Sequence, residues 1–190
     1  MREDARVETG TKEGAVSILI AYFSRNGNNY VGGEIVDLKI GNTEMVANLI
    51  KKLVGGHLYK IETESKYPKD YTETTEVAKK ELRQNARPAL SNKPETIDDF
   101  DVVLLGYPNW WGTMPMAVYT FLESYDFTGK TILPFCTHEG SGLGRSETDI
   151  ARLCSGAKIL SGLSIVGGSV GQAENDIERW LHKHGVQGRS

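Results

Sequence analysis

The sequence predicts an α/β fold in which a parallel sheet carries helices on both faces. Strand-length runs that are almost wholly apolar recur at residues 16–23, 101–107 and 131–136, as strands buried on both faces require. Amphipathic segments separate them, so the connections read as right-handed βαβ units. Three polar, glycine-bearing loops follow strands, at residues 24–43, 108–113 and 137–144. In a doubly wound sheet a ligand sits beyond the C-terminal strand ends, where the winding reverses, so the three loops should meet there.

The elements follow in order. Val16 to Phe23 forms the first strand and ends in Ser24-Arg25-Asn26-Gly27-Asn28. A helix starting at Gly41-Asn42-Thr43 places Val46, Leu49, Ile50 and Leu53 on one face and stops at Gly55-Gly56. Residues 57–61 make a short second strand, residues 67–71 a turn, and residues 74–85 a charged helix ended by Arg87-Pro88. After the strand at 101–107, Pro115 fits the first turn of a helix reaching about Tyr125. The strand at 131–136 leads to a helix that Ser146 should cap, with Asp149 completing an imperfect capping box. Residues 158–166 give a last strand and residues 175–184 a last helix, with Ile177, Trp180, Leu181 and His184 on one face.

Between Gly27 and Gly41 the first loop carries an insert, residues 28–40. Gly32-Gly33 is a hairpin turn signal, and Val36, Leu38 and Ile40 alternate with Asp37 and Lys39. We expect a small β-hairpin folded over the helix-start side of the site; the plain alternative, a disordered excursion, does not explain the alternation.

Composition bounds the rest. The chain has 190 residues, 39% of them hydrophobic, enough for one domain over residues 15–186 with a proper core. Residues 1–14 carry Arg2, Glu3, Asp4, Arg6, Glu8, Lys12 and Glu13, and are expected to be a disordered tail. They contain no signal-peptide core or membrane span, so a cytoplasmic protein is expected. A net charge of −3, without a basic stripe interleaved with aromatics, gives no reason to expect nucleic acid. Cys136 and Cys154 form no CxxC motif and are expected to be reduced and buried; a disulfide between them would need an oxidising compartment. His182 and His184, two apart on a helix, make no metal pair.

Ser24, Asn26, Asn42 and Thr43 could donate to an anion together with the free N–H groups of the helix start. Asn42 or Thr43 could equally be a simple N-cap, and Arg25 could pair with phosphate or lie exposed. Trp110 and Trp111 stand in a loop just after a core strand. Either ring could stack on a flat heteroaromatic ligand, or one could plug the core edge while the other meets a partner chain, as in a homodimer. The segment from Thr137 to Gly144 satisfies neither GxSxG nor GxGxxG, and its glycines let the backbone approach a ligand. His138 reads as a donor to a ligand or as a structural histidine.

Four segments, YFSRNGN, the GNT helix start, LLGYPNWWGTMP and PFCTHEGSGLG, resemble the flavodoxin-like FMN-binding proteins over residues 16–184. The resemblance implies a flavodoxin-like, doubly wound, five-stranded parallel sheet of order 2-1-3-4-5, here with a hairpin insert in the first loop. It implies that FMN is the cofactor and that Ser24, Arg25, Asn26, Asn42 and Thr43 surround its phosphate. Pro108, Asn109, Trp110, Trp111 and Gly112 would line the isoalloxazine, as would Thr137, His138, Glu139, Gly140, Ser141 and Gly144. The family's S-x-T-G-N-T run is interrupted here, so Gly27-Asn28 and Gly41-Asn42 stand as its two sides.

Flavin supplies redox chemistry, so no acid, base, nucleophile or metal is required of the protein. The expected function is an oxidoreductase passing electrons from NAD(P)H through FMN to a quinone or similar small-molecule acceptor. The alternative is a non-enzymatic electron carrier docking on redox partner proteins. Such carriers steer partners with strongly acidic surfaces, and −3 is mild.

Overall fold

The structure, a computed structural model, describes residues 16–187; the tail expected over residues 1–14 lies outside the described residues. In chain order the elements are β1 (Ile18–Tyr22), the hairpin strands β2 (Gly27–Val31) and β3 (Glu34–Leu38), α1 (Asn42–Val54), β4 (His57–Lys60) and α2 (Tyr71–Arg83). Then come β5 (Val102–Pro108), α3 (Met116–Glu123), β6 (Thr131–His138), α4 (Ser146–Leu153), β7 (Lys158–Ile159), β8 (Leu163–Val166), a 3-10 helix (Gly167–Gln172) and α5 (Glu174–Lys183). No helix among the described residues is long and apolar enough to cross a membrane.

The sheet runs β4-β1-β5-β6-β7, with β8 also paired to β6, and every pairing in it is parallel. With the hairpin set aside and β7 and β8 sharing one position, this is the 2-1-3-4-5 order of the flavodoxin-like fold. Period-two alternation divides the buried side chains between two cores. Leu19, Ala21, Val103, Leu105 and Ile132 pack with Val118, Phe121 and Leu122 of α3 and Ile150 of α4. Ile18, Ile20, Leu104, Leu133 and Phe135 pack with Val46, Ala47 and Ile50 of α1 and Ile177 and Leu181 of α5. The winding therefore reverses between β1 and β5, and the site lies past their C-terminal ends.

Several boundaries differ from those the sequence predicts. The last strand is broken at residues 160–162, and Pro134 supplies a reason. Ile132 faces this strand, its carbonyl accepting from Leu160 N at 3.0 Å. Pro134, two residues on, faces the same way and has no N–H for the ladder. The chain steps out, Gly162 N turns to Glu147 Oε1 at 2.7 Å, and pairing resumes one residue out of register at Leu163. Helix α2 begins at Tyr71, because Asp70 caps it by accepting from Glu73 N at 2.9 Å. Ser146 does not cap α4 but is its first residue, donating to Leu143 O at 2.6 Å and accepting from the buried Tyr107 hydroxyl at 2.8 Å. Asp149 turns inward instead of back to the helix start. On α1, Ala47 and Val54 are buried where Leu49 and Leu53 were expected, which rotates the buried stripe slightly.

The insert is a hairpin, β2 pairing antiparallel with β3 around Gly32-Gly33, both at positive φ as a two-residue turn requires. Its alternation does not bury a face: Ile35 is 51% exposed and Val36 38%. It stands outside the main sheet, and its inner strand walls the site.

Gly106 on β5 has no room for a side chain, since a Cβ there would enter the ring of the fully buried Phe135 on β6. Gly106→Ala is expected to lower stability by about 1–3 kcal/mol through overpacking, read as an earlier midpoint in urea unfolding. An unchanged midpoint would show that the α1 and α5 side of the sheet is not packed this tightly at Phe135.

Candidate functional site

The first wall of the site is the start of α1. Its N-cap position is Gly41, which offers no side chain to the helix. A Cβ there would collide with Ser24 Oγ and the Arg25 carbonyl, so the two ends of the interrupted loop are in contact. Ser24 Oγ accepts from Glu44 N at 3.1 Å, satisfying one N–H of the first turn from across the insert. Thr43, 2% exposed, shares a 2.8 Å hydrogen bond between its Oγ1 and that of Thr137 at the end of β6. Two hydroxyls bring two protons and their mutual bond uses one, so the pair keeps one donor.

The second wall is the loop after β5. Asn109 organises it: Oδ1 accepts from Gly112 N at 3.0 Å, and Nδ2 donates to Gly142 O at 2.8 Å in the third loop. Trp110 packs edge-on against Phe23 and Tyr67, with ring centroids 5.2 and 5.1 Å apart. Trp111, at φ +55, swings away onto α2. Its Nε1 donates to Thr75 O at 3.0 Å, and Lys79 Nζ stands 4.9 Å from its ring centroid. The third wall is the end of β6, which runs two residues further than the sequence predicts and so carries Thr137 and His138 on a strand. His138 Nδ1 accepts from Gly140 N at 2.9 Å, which leaves Nε2 as the donor of the neutral ring.

Together these walls enclose a cavity of about 290 Å³ at the switch point. Ser24, Arg25, Asn42 and Thr43 line it from the first loop, Pro108, Asn109 and Trp110 from the second, and Thr137, His138, Glu139 and Ser141 from the third. A second cavity of about 390 Å³ adjoins it against α2, sharing Arg25, Asn29, Tyr71, Asn109 and Trp110 and adding Trp111.

The remaining predicted residues stand elsewhere. Asn26 is exposed and lines a groove on the other side of its loop, with Asp37 and Glu62. Gly112 and Gly144 sit against each other behind the cavity, where a Cβ on Gly144 would strike the Gly112 carbonyl. Gly140 turns the third loop at φ +125 without lining either cavity. Arg25 lines both cavities, but its guanidinium donates to Pro68 O at 2.7 Å, Lys69 O at 2.6 Å and Asn28 O. Burial lowers its pKa, and neighbouring Asp70 and Tyr71 oppose that. It staples the first loop to the start of α2, and its donors point at carbonyls.

Asn29, Tyr30, Tyr71 and Gly167 line the cavity without having been predicted. Tyr71 follows no strand, so a rule that looks to loops after strands passes it by; its place beside the cap residue Asp70 was the available signal. Cys136 is held as a thiol, its pKa pushed up to about 12 by burial, and serves as core.

Two comparisons bear on this arrangement. A sequence model of the flavodoxin family matches residues 17–184. The chain belongs to the flavodoxin family. Among solved structures, a provisionally named flavoprotein from Bacteroides eggerthii is 30% identical, with a TM-score of 0.73 over 91% of this chain and 100% of that one. Another from Bacteroides uniformis is 27% identical, with a TM-score of 0.69 over 88% of this chain and 98% of that one. A flavoprotein from Lactobacillus acidophilus, solved in complex with FMN, is 18% identical, with a TM-score of 0.60 over 79% of this chain and 93% of that one; it shares the fold. No curated protein sequence matches the chain.

The tryptophan loop of this family member rests on a buried carboxylate. Asp149 Oδ2 accepts from Thr113 Oγ1 at 2.7 Å, Tyr119 OH at 2.5 Å and Arg145 Nε at 3.2 Å. Burial alone would raise its pKa, but the hydrogen bonds from Tyr119, Thr113 and Arg145 outweigh it and hold the carboxyl below the ordinary range. A depressed folded pKa contributes stability that is full above the unfolded value, about 3.9, and is lost as pH falls through the folded value. Asp149→Asn should therefore cost about 1–3 kcal/mol at pH 7, and progressively less as the pH falls below about 4. Urea unfolding at both pH values checks this; a cost independent of pH would contradict it.

Proposed function

We propose that the chain binds FMN in this cavity and passes electrons from NAD(P)H through it to a quinone or similar small acceptor. The observation that carries the reading is the joining of two chemistries at the winding reversal. An α-helix start whose N-cap is glycine, flanked by Ser24, Asn42 and the Thr43–Thr137 hydroxyl pair, stands across one cavity from the ring of Trp110. The first suits a phosphate and the second a flat heteroaromatic ring, and FMN carries both. The flavoprotein that shares this fold and was solved with FMN lends further support.

The residues fit the charge balance such a ligand needs. A helix of thirteen residues carries roughly half a positive charge at its start, and unpaired N–H groups there favour an anion without a cationic side chain. With Arg25 bound to carbonyls, neutralisation rests on N–H and O–H donors. Asn109 ties the tryptophan loop to the third loop, Phe23 and Tyr67 brace the Trp110 ring, and the Asp149 network holds the far end of the same loop. Bound FMN would supply the hydride and electron chemistry. The adjoining cavity against α2 gives a small co-substrate access beside Trp110, a feature that favours an oxidoreductase over a carrier.

FMN should raise the melting temperature of the purified protein in a concentration-dependent way, through linkage. Thr43→Val should weaken FMN by about 1–3 kcal/mol by removing a donor to a charged acceptor, measured by fluorescence titration. Affinity unchanged by Thr43→Val would move the phosphate elsewhere. The FMN-loaded protein should oxidise NADPH or NADH in the presence of a quinone. Failure of both nicotinamides to reduce the flavin, alongside reduction by a ferredoxin reductase, would make the protein an electron carrier instead.

A further inference from the structure

The hairpin insert is tethered across the cavity mouth at two points on its inner side. Tyr30 stacks on Tyr71 of α2, with centroids 6.1 Å apart and planes 29° from parallel. At the tip, Gly32 N donates to Glu139 Oε2 at 2.9 Å, a bond between residues 107 apart in sequence. The outer strand is open, with Ile35 and Val36 exposed. At its base the hairpin is held by Asn29 Nδ2, which donates to Arg25 O at 3.1 Å, and by the Arg25 guanidinium, which donates to Asn28 O as well as to the carbonyls before α2.

The other carboxylate oxygen of Glu139 stands near the side chain of Asn42, the first residue of α1. A Cβ at Gly167 would collide with Glu139 Oε1 and lie 2.5 Å from Asn42 Nδ2, so carboxylate and amide crowd the same point. Glu139 thus places a negative charge beside the first residue of the helix that the proposed reading gives to the phosphate. The charge also reaches Tyr71 under the hairpin, whose pKa burial raises first, Tyr30 and Glu139 add to, and Arg25 opposes.

We propose that Glu139 is a charge-operated latch: its carboxylate holds the hairpin tip across the mouth, and a ligand phosphate at the start of α1 repels it and frees the hairpin. The inference rests on the FMN reading above. Two anions compete for one helix end, and linkage makes the competition reciprocal: whatever favours the phosphate loosens the latch, and whatever removes the carboxylate charge tightens the phosphate. Glutamine keeps an acceptor for Gly32 N and removes the charge, so the two roles of Glu139 separate. A loaded protein would then present an open mouth to its redox partner, and an unloaded one a closed mouth.

The test uses the full chain with two flavins that differ only in the phosphate. Glu139→Gln should raise the ratio of FMN to riboflavin affinity roughly tenfold over the parent, because only FMN carries the opposing charge. By NMR hydrogen exchange, the Gly32 amide should exchange roughly tenfold faster on adding FMN and hold its rate on adding riboflavin. In the flavin-free protein, Glu139→Ala should speed Gly32 exchange and Glu139→Gln should not. Equal gains for both flavins in Glu139→Gln, or a Gly32 amide that FMN leaves protected, would overturn the latch while leaving FMN binding intact. If the parent protein binds neither flavin, the FMN reading falls and the phosphate half of the latch with it. The Glu139→Ala exchange rate then decides the Gly32 bond on its own.

Discussion

The site depends on the contact of Gly41 with Ser24 and the Arg25 carbonyl. A loop that binds an anion at a helix start must bring strand end and helix N-terminus together, and here residues 28–40 leave and return between them. The excursion is harmless because antiparallel pairing brings its two ends back side by side, Gly27 opposite Leu38. Glycine at 41 lets the strand end approach, and Ser24 then serves the Glu44 N–H as if it were the local cap. From this contact follow the exposure of the α1 start to the cavity, the Thr43–Thr137 bond to β6, and the placement of the hairpin at the mouth.

Charge is distributed economically around that point. Arg25, the one cation lining the cavity among the described residues, spends its donors on four backbone carbonyls, those of Asn28, Pro68, Lys69 and Asp70, and so fixes α2 and the first loop relative to each other. A buried guanidinium left without acceptors would be costly, and carbonyls at the turn before a helix are open to receive it. On the proposed reading, a phosphate would be held by dipoles and neutral donors, without a permanent ion pair. Glu139 is the one acidic side chain lining the cavity among the described residues, and its carboxylate bonds the hairpin tip.

Much of this was legible in the sequence, and the boundary of legibility is physical. The strands showed themselves because burial on both faces leaves unbroken apolar runs. The hairpin showed itself because Gly32-Gly33 suits a two-residue turn. The meeting of the three loops followed from chain winding alone. What was hidden lies in side chains whose partners are distant in sequence. Arg25 meets carbonyls 43 and 44 residues away. Tyr71 comes to the cavity on a helix, not a strand end. Asp149, spaced as a capping residue, found buried hydroxyl donors on α3 and the tryptophan loop instead. The break in the last strand was written in Pro134, but on the neighbouring strand, where a reading of residues 158–166 alone does not look.

The central claim is that the start of α1, with the Thr43–Thr137 pair, receives the FMN phosphate. Backbone amide NMR tests it most directly, because an N–H that donates to a phosphate dianion moves strongly downfield. On titration with FMN, the Asn42 and Thr43 amides should shift downfield and Trp110 should shift with them, while riboflavin should move Trp110 and leave Asn42 and Thr43 near their starting positions. Saturable FMN binding that leaves the Asn42 and Thr43 amides unmoved would contradict the account.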